Sequence, residues 1–405
     1  MKRLNLNSSN RLWTKSYILI LIINLFVYIA FYLLVPTLPA FAKQIGGSNI
    51  QASLVVSGFS ISSLICRAVT GHVADKIDRK PLLLIGLLIL ALCTLSYMFL
   101  PISAVIVVRI LQGVGWGMSS TAIAAVVSEM VPSKLRGEGM GYYSLSMIIS
   151  MSLAPIIAII VMNRYKFNVV AAVSIIFVGI AILLLQLVVI PQNKAQRLGA
   201  KKEKIIVLRD LIEKRALFPS FLCFLLVIPL CGIMSYIMLF GREIKLFNIW
   251  VYFIGHVSMI LVTRSFVGKL FDKKGHAVVI IPGAISMIIG LMILSYVHSV
   301  ASLVIASLFY GFGYGAVQPS LQAWAVSRSP AERIGAANGT FLSSMDLSFT
   351  IGSIILSLIA DIKSYAIMYR FSDIFMVIFM LVYGFVLLKE KKSNICNEDL
   401  LENVS

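Results

Sequence analysis

A charged motif that occurs twice decides the fold of this chain. Residues 67–76 read RAVTGHVADK, and residues 264–273, which lie 197 positions further on, read RSFVGKLFDK. Both copies follow the pattern R-x-x-x-G-x-x-x-D-K, and both stand at the end of an apolar run. Because an apolar membrane protein has no general need to repeat a charged turn, the repeat indicates a chain built from two related halves.

The composition is that of a protein with many membrane-spanning segments. The 405 residues are 59% hydrophobic and 13% charged, with a mean hydropathy of +0.95, which excludes a soluble domain of this size. A helix needs about 20 mostly apolar residues to cross the hydrocarbon core. We therefore predict an all-α membrane protein with twelve transmembrane helices, at residues 16–38, 50–71, 81–100, 103–127, 139–162, 168–190, 218–240, 248–270, 277–297, 299–323, 338–360 and 369–388.

Basic residues are distributed unevenly between alternate loops. Of the 35 Lys and Arg residues, 25 fall on the side that carries both termini, 7 fall on the opposite side, and Arg67, Arg109 and Arg264 lie within helices. Lys and Arg accumulate in cytoplasmic loops, so both termini are predicted to be cytoplasmic in a multi-pass protein of the cell membrane. This bias and affinity for anionic lipids explain the net charge of +18, and no nucleic acid is needed as a partner.

One long polar segment divides the chain. Residues 191–217 are rich in Lys, Arg, Glu and Gln and are predicted to be a cytoplasmic linker. It separates an N-terminal six-helix bundle, residues 1–190, from a C-terminal six-helix bundle, residues 218–388, which a cytoplasmic tail at 389–405 follows. Both copies of the repeat begin on the same side of the membrane, so the halves are parallel repeats. Such repeats place substrate sites at their interface, near the midplane.

The loop after the second predicted helix resembles that of a known family. Residues 71–81 read GHVADKIDRKP, which is similar to the signature G-x-x-x-D-[RK]-x-G-R-[RK] of the major facilitator superfamily, with Asp78 where that family has glycine. The matching positions are Gly71, Asp75, Lys76, Arg79 and Lys80, and the second copy contributes Gly268 and Asp272. The resemblance implies two pseudo-symmetric bundles that move by alternating access, with these loops as conformational latches. The alternative role is a tight turn in a basic cytoplasmic loop.

A second signature begins at Arg109 in the fourth predicted helix. Residues 109–117, RILQGVGWG, resemble the R-x-x-Q-G motif of the same superfamily, and Gln112 lies one turn after Arg109 on the same face. A guanidinium within the hydrocarbon zone costs at least about 2.5 kcal/mol unless it is paired or faces water. We therefore predict that Arg109 and Gln112 organise the transport cavity, and the alternative is a structural role.

The fifth predicted helix resembles the antiporter signature G-x8-G-x3-G-P of drug–proton exporters. The matching residues are Gly141, Ser150, Ala154 and Pro155, so small side chains replace two of the glycines. The resemblance to this twelve-helix antiporter branch implies efflux driven by the proton motive force. Helix packing and a proline kink explain the same residues without antiport.

Proton coupling requires a group that changes its charge inside the membrane. Asp346 is the leading candidate, at about 10 Å from the cytoplasmic end of the eleventh predicted helix if each residue rises 1.5 Å. Its alternative role is a structural carboxylate that binds nearby hydroxyls or an arginine. Asn24 and Tyr32 in the first predicted helix are further candidates for the cavity wall. Arg67 and Arg264 are assigned structural roles because they lie near the cytoplasmic face.

The predicted function is secondary active transport by a monomer in contact with membrane lipids. Its leading form is proton-coupled export of amphipathic small molecules, such as drugs or a secreted metabolite. Proton-coupled uptake of a small polar nutrient is the alternative within this class, and a non-transporting membrane receptor is the alternative outside it. No metal-ligand or nucleophile–base spacing stands out in the sequence, so we predict no enzymatic activity, no cofactor and no metal.

Overall fold

The described part of the chain folds into long helices that run back and forth through one bundle. The computed structural model describes residues 12–73, 78–132, 135–190, 212–330 and 333–402. Within them, twelve helices are long and apolar enough to cross a membrane, which confirms the predicted fold class. The helices are α1 Lys15–Gln44, α2 Asn49–Val73, α3 Arg79–Ser96, α4 Ile102–Met130, α5 Arg136–Arg164, α6 Phe167–Leu187, α7 Leu217–Glu243, α8 Val251–Lys274, α9 Ala277–Ser295, α10 Val300–Ser327, α11 Ile334–Ile362 and α12 Tyr365–Glu402.

Most helix boundaries differ from the sequence prediction by a few residues, and two of these differences concern the last two helices. Helix α11 begins at Ile334, four residues before the predicted start, and α12 continues to Glu402, beyond the predicted end at 388. The start of α11 was missed because its first turns are rich in Gly, Ala and Asn and do not read as apolar. Asp346 therefore lies about 18 Å into α11 at 1.5 Å per residue, which is deeper than the predicted 10 Å.

The first six helices and the last six pack in the same pattern. In the first set, here called the N half, α4 packs against both α2 and α3, and α1 packs against both α5 and α6. In the second set, the C half, α10 packs against both α8 and α9, and α7 packs against both α11 and α12. Between the halves, α2 packs along α11.

Glycines let matched helices cross closely in both halves. A Cβ on Gly117 of α4 would lie 2.9 Å from the carbonyl oxygen of Ser63 on α2. A Cβ on Gly315 of α10 would lie 2.9 Å from the Cα of Ile260 on α8. Ser63 and Ile260 are 197 positions apart in the sequence, and Gly117 and Gly315 are 198 positions apart. The repeat in the sequence is therefore also a repeat of the helix packing.

The two halves are hydrogen-bonded to each other at one end of the bundle. We call the end that carries the start of α1 the terminal side and the opposite end the distal side. Asn49 Nδ2 donates to Asp361 Oδ1 (2.5 Å), the Tyr365 hydroxyl donates to Asn49 Oδ1 (3.4 Å), and Asn163 Nδ2 donates to the Phe247 carbonyl (3.3 Å). All three bonds lie on the distal side, so the described part of the protein is closed there.

The end of the predicted linker is anchored on the C half. Residues 191–211 lie outside the described residues, but Glu213 is buried. Its carboxylate lies 2.8 Å from Nε of Arg333, and its backbone N–H donates to Thr340 Oγ1 at 3.0 Å. The segment that leads into α7 is therefore held against the start of α11.

Candidate functional site

An ion pair joins the two halves in the middle of the bundle. Nε of Arg67 on α2 lies 3.5 Å from Oδ2 of Asp346 on α11. No other ion pair recorded for the described residues crosses from one half to the other. The side chains are 24% and 21% exposed, so neither is sealed in a packed core. Each charge is costly within a membrane span, and the pairing offsets part of that cost.

Tyrosines of the N half lie around this ion pair, and one tyrosine of the C half adjoins them. Tyr28 and Tyr32 on α1 and Tyr143 on α5 are electrostatic neighbours of Arg67. Tyr314 on α10 is in turn a neighbour of Tyr32. Tyr28 and Tyr32 are one turn apart on the same face of α1, and their rings lie 6.2 Å apart. We call the ion pair and these four tyrosines the central site.

Further aromatic rings lie behind the central site in the N half. The ring of Trp116 on α4 stacks on Phe31 at 4.1 Å and meets Tyr28 edge-on at 4.7 Å. Phe31 also stacks on Phe59 of α2, at 5.1 Å. The site thus combines flat apolar surfaces with hydroxyls and one pair of opposite charges. This is the chemistry that an amphipathic small molecule needs from a binding site.

Arg109 lies inside the N half, among α2, α3 and α4. Its Nε donates to the Val55 carbonyl at 3.2 Å, and its Nη1 donates to Oε1 of Gln112. Its guanidinium lies 4.2 Å from the centre of the Phe59 ring, and only 3% of the residue is exposed. These contacts all belong to one half, so the proposed part of Arg109 in the cavity stays a prediction.

Gln112 completes this buried network. Its Oε1 accepts a hydrogen bond from the Tyr97 hydroxyl at 2.7 Å, and its Nε2 donates to Thr94 Oγ1 at 2.8 Å. Both partners lie at the end of α3, so the network ties α3 to α4. No carboxylate pairs with Arg109 among the described residues, and the amide oxygen of Gln112 is the side-chain acceptor that Arg109 has there.

Polar residues of α5 bond it to α1. Asn24 Nδ2 donates to Ser146 Oγ at 2.7 Å. Ser150 Oγ donates to the Leu25 carbonyl at 2.9 Å. Asn24 is fully buried and lies in this seam, and Tyr32 lies in the central site.

The rest of the antiporter-like motif also lies in α5. Ala154 is fully buried and Pro155 is inside the helix, whereas a Cβ on Gly141 would meet open space. Close packing therefore accounts for Ala154 and not for Gly141. A part of these residues in antiport stays a prediction.

Two residues of the predicted latch have recorded contacts within the N half. Arg79, the first residue of α3, donates to the Glu129 carboxylate near the end of α4. Lys80 Nζ donates to the carbonyls of Gln186 and Val188 at 3.1 and 3.0 Å, which binds it to the end of α6. The loop signature thus joins the terminal-side ends of three helices of one half.

The other predicted latch residues are less informative. Asp75 lies outside the described residues. Gly71 and Asp272 lie near the ends of α2 and α8, at positions for which only the helical backbone is described. A Cβ on Gly268 would meet open space. The latch therefore stays a prediction.

Sequence reasoning did not predict four members of the central site, Arg67, Tyr28, Tyr143 and Tyr314. Arg67 was assigned a structural role because it was expected near the cytoplasmic face, and Tyr143 carried no motif at all. A usable signal was present for Arg67. Asp346 is an intramembrane acid, and an intramembrane acid implies a basic partner on another helix.

Comparisons with known proteins agree with this architecture. The model of the Major Facilitator Superfamily matches residues 20–353 and, in an overlapping match, residues 251–396. An uncharacterized MFS-type transporter of Methanocaldococcus jannaschii is 24% identical over 355 residues, which cover 85% of this chain and 90% of that protein. Multidrug resistance protein 2 of Bacillus subtilis is 25% identical over 331 residues, which cover 76% of this chain and 80% of that protein.

A solved structure shows the same fold. The nucleoside transporter NupG matches with a TM-score of 0.77 at 12% sequence identity, over 91% of this chain and 100% of that one. The family match extends over most of the sequence and the twelve-helix bundle is the one that such transporters share. The chain therefore belongs to the Major Facilitator Superfamily, whose members are membrane transporters and not enzymes.

Proposed function

We propose that this protein exports amphipathic small molecules across the cell membrane in exchange for protons, and that the central site binds both. The observation that carries the proposal is the Arg67–Asp346 ion pair, which joins the two halves among tyrosines from both. Similarity to Multidrug resistance protein 2 of Bacillus subtilis supports export of drug-like compounds.

The ion pair links proton binding to movement of the halves. A proton on Asp346 cancels its charge and removes the attraction to Arg67. Unit charges about 4 Å apart attract each other by about 4 kcal/mol at an effective dielectric constant of about 20, and desolvation of the two groups offsets part of this. An interaction of that size is sufficient to shift the balance between two conformations of a transporter. Protonation thus loosens the contact between α2 and α11.

The basic residues and the closed end support access to the central site from the cytoplasm, which an exporter requires in one of its states. If the basic terminal side is cytoplasmic, the three hydrogen bonds on the distal side close the protein towards the outside. A compound then reaches the central site from the cytoplasm. Proton binding from outside, after the halves have rocked, completes an exchange cycle in which the compound leaves on the outer side.

Everted membrane vesicles that contain a pH-sensitive dye test this proposal. Amphipathic compounds should release protons from energised vesicles with the wild-type protein, and Asp346→Asn should abolish this release. The matched control is Asp361→Asn, because Asp361 is an acid of the same helix at the distal end and the amide oxygen of asparagine can still accept the hydrogen bond from Asn49. Full compound-driven proton release by Asp346→Asn would contradict the proposal. Accumulation of the compounds in intact cells would show uptake instead.

A further inference from the structure

Arg264 occupies the position in the C half that Arg67 occupies in the N half. The matched crossings of α2 with α4 and of α8 with α10 put Ser63 and Ile260 at equivalent places. Each of these residues lies four positions before its arginine. The two guanidinium groups therefore start from equivalent points on equivalent helices.

The carboxylate that pairs with Arg67 has no equivalent opposite Arg264. Ser150 Oγ donates to a carbonyl of α1 and Ser348 Oγ donates to a carbonyl of α7, both at 2.9 Å, so α5 and α11 are in matched register. Two positions before Ser348 stands Asp346, but two positions before Ser150 stands Ile148. Helix α5, which contacts α8, thus carries an isoleucine where α11 carries the acid.

Arg264 borders the central site from the C half. Its side chain is exposed, and no hydrogen bond or ion pair is recorded for it among the described residues. Its electrostatic neighbour is Tyr314, which is itself a neighbour of Tyr32 on α1 and of Cys223 on α7. Since Tyr314 is a member of the central site, Arg264 lies next to that site.

A guanidinium in this position is stabilised by an anion that pairs with it. A charged side chain within a membrane span is costly unless it is paired or faces water. Arginine presents a rigid fork of N–H donors that matches a carboxylate or a phosphate with two parallel hydrogen bonds. At the equivalent position the protein supplies the anion itself, through Asp346. No carboxylate of the described residues pairs with Arg264, so a ligand supplies the anion there.

We propose that Arg264 binds an acidic group of the transported compound, so that the substrates of this protein are amphipathic anions. The carboxylate, sulfonate or phosphate lies on Arg264 and the apolar body lies against the tyrosines of the central site. This inference rests on the proposed function, because it assumes that the substrate binds between the halves. A phosphate of a membrane lipid carries the same chemistry, and the experiment separates the two sources.

Binding to the purified protein in dodecyl maltoside, which has no anionic group, tests the proposal. A series of aromatic carboxylates, starting with 1-naphthoate, is compared with the matched neutral amides, starting with 1-naphthamide. We expect the wild type to bind carboxylates about tenfold more tightly than amides, and Arg264→Gln to lose this preference while its affinity for amides stays within about twofold. Arg264→Lys should keep part of the preference.

Two further variants control for folding and for position. Arg370→Gln removes an arginine that lies over the Tyr296 ring at 3.9 Å, away from the central site, and should keep the full preference. Ile148→Asp supplies the missing acid and should abolish the preference, because the new carboxylate occupies Arg264. Ile148→Asn, which adds a polar group without charge, should keep it. A preference that survives in both Arg264→Gln and Ile148→Asp overturns the proposal.

The remaining outcomes are equally decisive. If no carboxylate of the series binds the wild type more tightly than its amide, the proposal is wrong. If phosphatidylglycerol stays bound to the wild type and not to Arg264→Gln in native mass spectrometry, while the two bind naphthoate equally, a lipid occupies the site and the proposal is overturned. Neither outcome touches compound-driven proton release by the wild type, so export in exchange for protons can stand when anion recognition fails.

Discussion

Behind the central site, the N half and the C half place different polar groups at matched positions. A Cβ on Gly113 of α4 would clash with the Phe59 carbonyl, and a Cβ on Gly311 of α10 would clash with the His256 carbonyl, so Phe59 and His256 are equivalent. In the N half, the guanidinium of Arg109 covers the Phe59 ring and is hydrogen-bonded on both sides. The polar groups around Arg109 are thus hydrogen-bonded to one another.

The matched position in the C half lacks such connections. His256 is fully buried, with its ring 5.8 Å from the Tyr252 ring and 5.6 Å from the Tyr310 ring. Within the described residues, neither ring nitrogen of His256 has a hydrogen-bond partner. The same holds for the hydroxyls of Tyr252 and Tyr310 and for both carboxylate oxygens of Asp373.

The difference teaches that the repeat preserves the crossing of the helices but not the groups that fill the space between them. Each unpartnered buried group costs about 1–3 kcal/mol. We therefore expect the N half to be the more rigid body and the C half to gain stability when polar atoms are removed. Four substitutions, each paired with its counterpart in the other half, test this expectation.

The largest effect is expected at the matched helix crossings. Gly113→Ala and Gly311→Ala each force a methyl group against the backbone of a neighbouring helix, and we expect each to cost about 3 kcal/mol or more, at the upper end for overpacked sites. The melting temperature of the purified protein in detergent measures this loss. Gly141→Ala and Gly339→Ala are controls, because a Cβ there meets open space. If alanine is tolerated at only one of these two glycines, the helix crossings of the two halves are not equivalent.

The second effect should separate the two interiors. Gln112→Leu removes the side-chain acceptor of Arg109 and strands the hydroxyl of Tyr97, so we expect a loss of about 2–3 kcal/mol. The counterpart of Gln112, 198 positions later, is Tyr310, whose hydroxyl has no partner among the described residues. Tyr310→Phe should leave the melting temperature unchanged or raise it. An equal loss from both substitutions would show that the C half is as well connected as the N half.

The sequence predicted the helices and the repeat well because both are properties of the linear chain. Apolar length determines a membrane span, and a duplicated motif is visible without any contact. Of the central site, Asp346 and Tyr32 were predicted. The partner of Asp346 was not, because the contact of Arg67 with α11 depends on how two distant halves pack. Depth along a helix also does not say which way a side chain faces, so the contacts of Arg109 within the N half could not be predicted and its part in the cavity stays a prediction.

Exchange of the matched residues His256 and Phe59 should give the third-largest effect, a change of about 1 kcal/mol in the free energy of unfolding. His256→Phe installs the ring that the N half has at this position and removes two buried nitrogens without partners, so the melting temperature should rise. Phe59→His is the reciprocal change. It weakens the aromatic face under Arg109 and should lower the melting temperature. If His256→Phe instead lowers the melting temperature, the nitrogens of His256 are hydrogen-bonded in solution.

The smallest effect is expected where the halves are most alike. Ser150 and Ser348 each donate a hydrogen bond of 2.9 Å to a carbonyl of the neighbouring helix, so Ser150→Ala and Ser348→Ala should each cost about 0.5–1.5 kcal/mol. The two serines share no partner and lie in different halves. Their effects on the melting temperature should therefore add in the double variant. A double variant that loses much less than this sum would mean that one half has already unfolded when the other gives way, and the halves would then melt as separate units.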